Sequence, residues 1–164
     1  MSIAMRGGAL DETEQSAGIT GLMARVSVKG TERRSAAALA EETEALGGSI
    51  SPSVSSDLFS WSLSLPSRHF AAGFELLADA ALRPTFPEAE LERERKVSLS
   101  DLTQIRDDMY RYPMHLIMQA AFEAHPYGFS TQAMAQAIER HAQADLIAWH
   151  RRRVLEGEPW VFIV

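Results

Sequence analysis

Two hydrophobic periods follow one another in the first part of the chain. Residues 16–28 carry apolar side chains at the spacing of a helix with one apolar face: Ile19, Leu22, Met23 and Val26. Gly30 is expected to end this helix, since glycine favours the position just past a helix C-terminus. A second helix is predicted over 36–46, capped by Ser35 and closed by Gly47.

Residues 49–55 and 58–65 instead alternate between polar and apolar side chains. That period of two is typical of a strand with one buried face. The sequence therefore predicts two antiparallel strands joined by a turn at 55–57. Pro52 has no amide hydrogen to donate, so the first strand should lie at an edge of the sheet or carry a bulge there.

Helical spacing returns in the second half of the chain. Helices are predicted over 70–83, from Pro87 to about Arg111, over 114–124, and near 132–138 and 143–153. The candidates for the buried side of the long charged helix are Leu91, Leu102, Ile105 and Met109. The aromatic residues expected in the core are Phe59, Trp61, Phe70 and Phe74. Residues 160–164 are predicted to form a buried strand that is cut off at the end of the chain.

Helices outnumber the predicted strands and do not alternate with them strictly. This order is typical of an α+β domain, in which an open sheet packs against helices on one face. A length of 164 residues suits one domain with its own core. The sequence therefore predicts a single two-layer α+β domain over 1–164, with a mostly antiparallel sheet and the helices on one face.

The composition argues against several classes of function. A net charge of −6 and a pI near 5.4 disfavour a nucleic-acid-binding protein, which normally presents a basic face. No apolar run approaches the roughly 20 residues that span a bilayer, and residues 1–6 lack the pattern of a signal peptide. A soluble protein without a membrane span is predicted, and its compartment is left open. The absence of cysteine excludes disulfides, thiol catalysis and Cys-ligated zinc.

The other residues with catalytic potential form no recognised motif. The five histidines are His69, His115, His125, His141 and His150. None of them pairs with another at the three- or four-residue spacing of a metal-binding helix, and His115, His125 and His150 are interpreted as structural residues. No G-x-S-x-G elbow is present, and the two Gly-Gly pairs lack the context of a phosphate-binding loop.

Several short motifs nevertheless occur in a recognisable order. They are Gly7-Gly-Ala-Leu-Asp-Glu12, Lys29-Gly-Thr31, Gly47-Gly48, Pro84-x-Phe86 followed by Glu92-Arg-Glu-Arg95, and His125-Pro-Tyr-Gly128. Their order and spacing resemble those of the M16 metallopeptidases, the family of pitrilysin, insulinase and the mitochondrial processing peptidase. The resemblance covers nearly the whole chain, and it implies the same α+β arrangement that the pattern predicts.

The resemblance also places the zinc motif of that family, H-x-x-E-H. The two ligand histidines fall on Gly21 and Arg25, the general-base glutamate falls on Ala24, and a further ligand glutamate falls on Asp101. Catalytic zinc needs three protein ligands and a base, so this set implies neither a metal nor catalysis in this chain. Arg25 and Asp101 either form an ion pair in place of the metal or lie apart in solvent, and the sequence leaves both alternatives open.

Members of the family consist of two similar halves that enclose a peptide, and one half holds zinc. The resemblance therefore implies a non-catalytic domain that completes the substrate chamber and supports peptide binding for a zinc-bearing partner half, fused or separate. Zinc is expected only in that partner.

The segment implied to pair with a peptide substrate comprises Ser49, Ile50, Ser51, Ser53 and Val54, although Pro52 removes one donor from it. The alternatives are a peptidase with an aberrant metal site and a repurposed module that binds peptides or proteins. Association into a homo-oligomer is left open, and 1–164 is expected to be part of a longer two-domain subunit.

Overall fold

The computed structural model describes residues 1–164 without a gap. The strands are β1 (Ser2–Arg6), β2 (Ser49–Val54), β3 (Leu58–Ser64) and β4 (Pro159–Phe162). They form one antiparallel sheet in the order β2-β3-β1-β4, so β2 and β4 are its edges. The expected edge position of the strand that contains Pro52 is confirmed.

Seven α-helices accompany the sheet. They are α1 (Ile19–Ser27), α2 (Ala36–Ala45), α3 (Phe70–Leu82), α4 (Glu88–Ile105), α5 (Arg111–Phe122), α6 (Thr131–Arg140) and α7 (Gln143–His150). A π-helical turn, Arg151–Leu155, extends α7. No helix combines the length and the apolar character that crossing a membrane requires.

One face of the sheet is apolar and packs against the helices. Ile3 pairs with Trp61, and Met5 pairs with Phe59. These four side chains are at most 3% exposed and belong to the main hydrophobic core with residues of α1, α3 and α7. Because side chains alternate along a strand, the opposite face carries the serines of β2 and β3. The predicted two-layer α+β fold is therefore confirmed.

A buried polar network connects the loop after α1 to α3. The Oδ2 atom of Asp79 accepts hydrogen bonds from Thr31 Oγ1 at 2.7 Å and from Arg34 Nη1 at 2.9 Å. Gly30 adopts a φ of 156°, and a Cβ atom there would lie 2.9 Å from the ring of Pro87. The Lys-Gly-Thr segment therefore has a structural role: it turns the chain tightly and anchors it on a buried carboxylate.

The two ends of the chain differ from their predictions. No strand is predicted at residues 2–6, yet β1 lies in the sheet between β3 and β4. Its three central residues form too short an apolar run to stand out in the sequence. The predicted burial of residues 160–164 is wrong: the side chains of Trp160, Val161 and Phe162 are about half exposed. They lie on an edge strand that pairs only with β1.

The long helix also ends earlier than predicted, at Ile105 rather than near Arg111. Asp108 Oδ1 accepts hydrogen bonds from the amides of Tyr110 (2.9 Å) and Arg111 (2.8 Å), and this carboxylate starts the new helix α5. Met109 lies in the resulting turn and is 77% exposed, so its predicted burial is wrong. Phe70, in the first turn of α3, is also exposed.

Two buried histidines should make stability fall in acid. Burial lowers the pKa of His141 and of His150 below the ordinary 6.5, and His150 Nε2 lies 2.8 Å from the carbonyl oxygen of Ala81. Because the unfolded chain binds these protons more readily, the free energy of unfolding should fall as the pH drops below 6.5 and through the lowered pKa values. The slope is at most about 1.4 kcal/mol per pH unit for each histidine.

Urea denaturation at a series of pH values would measure this slope. His150→Gln keeps a hydrogen-bond donor for Ala81 without a titrating group, so it should remove one histidine's share of the slope. A slope that His150→Gln leaves unchanged would contradict the assignment.

Candidate functional site

Helix α1 is fixed in the core on one side. Its residues Ile19, Leu22, Met23 and Val26 are at most 3% exposed. Trp61 Nε1 donates to Ser27 Oγ at 2.7 Å, and Trp149 Nε1 donates to Thr20 Oγ1 at 3.1 Å. These contacts orient the other face of α1, which carries Gly21, Ala24 and Arg25.

The N-terminus of α1 is capped by a side chain from outside the helix. Glu12 is 6% exposed, and its two carboxylate oxygens accept hydrogen bonds from the amides of Gly18 (2.7 Å) and Thr20 (2.9 Å). Gly18 has a φ of 81°, which glycine adopts without the strain of a side chain. Burial raises the pKa of Glu12 above 4.5, although the amide hydrogen bonds partly oppose that effect.

Replacing Glu12 by Gln should lower the free energy of unfolding by about 1–3 kcal/mol. The glutamine amide has one acceptor oxygen, so its NH₂ group would meet one of the two backbone N–H donors. Since the pKa of Glu12 is raised, the stability that this carboxyl contributes is full below pH 4.5 and is lost as the pH rises through its folded-state pKa. The difference between wild type and variant should therefore be largest in acid, as urea denaturation at several pH values would test. A difference that grows with rising pH would contradict the assignment.

The three α1 positions line a cleft of about 540 Å³ beside the edge of the sheet. Its other walls come from the C-terminal end of β2, the start of α5, α6 and the segment before α1. The lining residues are Ala9, Glu12, Gly18, Gly21, Ala24, Arg25, Pro52, Val54, Ser55, Ser56, Arg111 and Met134. The three α1 positions assigned to the zinc motif thus lie together beside one cleft, and of them Ala24 is fully buried.

An ion-pair network joins α1 to α4 at this site. Arg25 Nη2 donates to Asp101 Oδ2 at 2.7 Å. Lys29, two residues past the end of α1, places its Nζ 3.2 Å from Glu94 Oε1, and Arg25 Nη1 lies 4.0 Å from Glu94 Oε2. Of the two alternatives for Arg25 and Asp101, the structure has the ion pair. Both side chains remain about 40% exposed, so the pair is worth about 0–1 kcal/mol.

The pairing of Lys29 with Glu94 is not among the contacts predicted from the sequence. A signal was present, because Arg25 and Lys29 are four residues apart, and Glu94 and Asp101 are seven residues apart. The first spacing puts Lys29, just past the end of α1, on the same side as Arg25, and the second puts two carboxylates on one face of α4. What the sequence lacks is the information that these two faces meet.

The residues at this site do not fit a catalytic zinc ion. Gly21 has no side chain, the Ala24 methyl group offers no donor atom, and the Arg25 guanidinium is a permanent cation that cannot ligate a metal. Asp101 is already paired with Arg25. No group of three or more His, Asp or Glu side chains in the chain is placed to hold a metal ion.

The open edge of β2 lies beside the cleft. Ser55 N donates to Leu58 O at 2.8 Å where the β2–β3 turn closes. Hydrogen-bonded and non-bonded pairs alternate along an antiparallel ladder, so the backbone of Ser49, Ser51 and Ser53 faces β3, whereas that of Ile50, Pro52 and Val54 faces outward. Of the five residues predicted to contact a peptide, Ile50 and Val54 therefore present free amides at this edge. Pro52 also faces outward, and because proline has no N–H group, this edge has no donor at that position.

The histidines lie apart from this site. His141 and His150 are buried, and their Nε2 atoms lie near the carbonyl oxygens of Ala17 and Ala81. His125 begins a short turn in which Tyr127 donates a hydrogen bond to Asp57, so this turn braces the β2–β3 connection. The structural interpretation of His125 and His150 agrees with these contacts.

Comparisons with known proteins agree with the fold and the motif order. The family model described as Insulinase (Peptidase family M16) matches residues 1–134. The chain is 28% identical over 136 residues to the mitochondrial-processing peptidase subunit alpha of Solanum tuberosum, covering 81% of this chain and 26% of that protein. It is 26% identical over 142 residues to the subunit beta of Blastocladiella emersonii, covering 87% of this chain and 30% of that protein. The chain thus spans less than a third of these two relatives.

The fold has close counterparts among solved structures. The peptidase M16 inactive domain from Pseudomonas fluorescens superposes with a TM-score of 0.80 at 22% identity, over 91% of this chain and 36% of that one. A protease from Helicobacter pylori gives a TM-score of 0.80 at 19% identity with the same coverage of both chains. At these identities the likeness concerns the fold. Because the family model matches most of the chain, the chain belongs to peptidase family M16.

Proposed function

We propose that this chain is a non-catalytic domain of an M16-type peptidase. In this proposal it completes a substrate chamber and supports peptide binding for a partner half that holds the zinc ion and performs the hydrolysis. In this proposal, residues 1–164 are one domain of a longer subunit. The partner half is either a separate subunit or a further part of the same protein.

The observation that carries the proposal is the chemistry of the motif positions. Gly21, Ala24 and Arg25 line one cleft and Asp101 pairs with Arg25, yet these residues supply an ion pair where a catalytic zinc site needs three ligands and a base. The helix, its cap and the neighbouring strand edge are intact. A domain that retains this helix and strand arrangement but lacks the zinc ligands and the base is suited to enclosing a substrate without cleaving it.

The relatives support a paired assembly. Two of them are named as the alpha and beta subunits of a mitochondrial-processing peptidase, and one similar fold is described as an inactive domain. The open β2 edge supports peptide binding, because an extended peptide can add there as a further strand. It would find free amides at Ile50 and Val54 and free carbonyls at Ile50, Pro52 and Val54.

The test is reconstitution with an M16 protein of the same genome that carries H-x-x-E-H. A fluorogenic peptide should be cleaved by the mixture faster than by that protein alone, and this chain alone should cleave nothing. Chelator-sensitive cleavage by this chain alone would instead favour the aberrant-site peptidase. Absence of both complex formation and rate enhancement would favour the repurposed binding module.

The strand edge can be tested in the same assay. Val54→Pro removes an outward-facing amide without removing a hydrogen bond to β3, and Val54→Thr is the matched control that keeps the amide. The proline variant should lower the enhancement by raising the KM of the mixture, and the threonine variant should behave as wild type. Equal behaviour of the two variants would contradict peptide addition at β2.

A further inference from the structure

The cleft beside β2 carries an unusual set of charges for an acidic protein. Its charged lining residues are Glu12, Arg25 and Arg111, whereas the whole chain has a net charge of −6. Glu12 is committed elsewhere, because both its oxygens accept backbone amides at the start of α1. The cationic side chains that line this cleft are two arginines, of which Arg25 is already paired with Asp101.

The two guanidinium groups differ in how far they are neutralised. Arg25 pairs with Asp101 through Nη2, while Nη1 lies 4.0 Å from Glu94, and its side chain is 40% exposed. Arg111 is exposed and forms no ion pair within the chain. Its backbone amide is held by Asp108, which fixes the first turn of α5 beside the cleft. An arginine guanidinium group presents paired N–H donors in one plane, and this geometry matches the two oxygens of a carboxylate.

The sheet geometry determines which part of a peptide reaches these groups. The side chains of Pro52 and Val54 line the cleft, and the intervening Ser53 lies on the opposite face of the sheet. Residues of an added strand that stand opposite Pro52 and Val54 point to the same face as those two side chains. Every second side chain of such a peptide would therefore be directed to the face that carries Arg25 and Arg111.

We propose that this cleft binds an acidic side chain, Asp or Glu, of an extended peptide paired with β2, and that Arg25 and Arg111 are the groups that recognise it. The inference rests on the proposed peptide-binding function and adds the substrate class to it. A basic side chain at that position would approach the unpaired guanidinium group of Arg111 and the partly neutralised one of Arg25, so its binding is disfavoured. An apolar side chain would leave the guanidinium group of Arg111 without an anionic partner.

The experiment compares three labelled peptides by fluorescence anisotropy. They share one extended sequence of Thr, Ser and Val and differ at the central residue, which is Glu, Gln or Lys. Wild type should bind the Glu peptide about fivefold more tightly than the Gln peptide, and the Lys peptide should bind least tightly. The preference should weaken as salt is added, because the arginines are partly exposed.

Three variants assign the preference to the cleft. Arg111→Gln and Arg25→Gln should each reduce the preference for Glu while the affinity for the Gln peptide changes little. Arg106→Gln is the matched control, since Arg106 is exposed on the preceding turn and does not line the cleft. It should keep the full preference.

The outcomes separate this inference from the proposed function. If all three peptides bind equally well, or if the preference for Glu survives both cleft substitutions, the acidic-substrate inference is overturned and peptide binding at β2 stands. If none of the peptides binds, peptide binding by this chain fails, and the inference fails with it.

Discussion

Replacing Asp79 by Ala is expected to lower the free energy of unfolding by about 3 kcal/mol. Asp79 is 2% exposed, and its Oδ2 atom accepts hydrogen bonds from Thr31 and Arg34. The side chain of Arg34 is only 15% exposed. Removal of the Asp79 carboxylate therefore leaves this largely buried cation with less negative charge beside it. It also releases the loop that follows α1 and thereby loosens the helix that carries the motif positions. Urea denaturation would measure the loss.

Glu75→Gln is the matched control for Asp79→Ala. Glu75 also faces Arg34, at 3.8 Å, but its side chain is 58% exposed. Its removal should cost no more than about 1 kcal/mol. Equal costs for the two substitutions would mean that the buried network contributes nothing beyond an ordinary surface ion pair.

The triple substitution G21H/R25H/D101E is expected to create a zinc site at the motif positions. It restores two histidines and one glutamate, the three protein ligands that a catalytic-type zinc ion requires. A Cβ atom at Gly21 meets no other atom within 4 Å, so a side chain can be accommodated there. Ala24 is left unchanged because it is fully buried and because its counterpart in the motif is the base rather than a ligand.

Zinc at about a hundredfold excess over its Kd should stabilise the triple variant by about 2.7 kcal/mol, which corresponds to a rise in Tm of roughly 5–10 °C. Differential scanning calorimetry with and without zinc would measure it. The control G21Q/R25Q/D101Q removes the ion pair without supplying zinc ligands, and its Tm should not respond. If the triple variant also fails to respond, the assignment of the motif to these positions is wrong.

The layers of the fold could be predicted from the sequence because they depend on local patterns. The helical spacing of Ile19, Leu22 and Val26 identifies the buried face of α1. The alternation of polar and apolar residues around Trp61 identifies the buried face of β3. Burial of Trp160 could not be judged in this way. An apolar run predicts a strand, but its exposure depends on whether it lies at the edge of the sheet.

The boundaries of the helices and the partners at the site depend on contacts that the pattern does not contain. The end of α4 depends on a carboxylate, Asp108, that caps the following helix and interrupts a helical sequence. The pairing of Lys29 with Glu94 depends on how α1 and α4 pack. Gly21, Ala24, Arg25 and Asp101 can be assigned to the motif from the sequence, but only the packing of α1 against α4 shows that Arg25 and Asp101 pair.

The zinc content of the wild-type chain tests the central claim most directly. The chain would be purified without chelators, dialysed against trace zinc and examined by elemental analysis. An ion pair between Arg25 and Asp101 in place of the metal ligands predicts a stoichiometry near zero. A stoichiometry near one zinc ion per chain would contradict the account of the motif positions and of the non-catalytic domain.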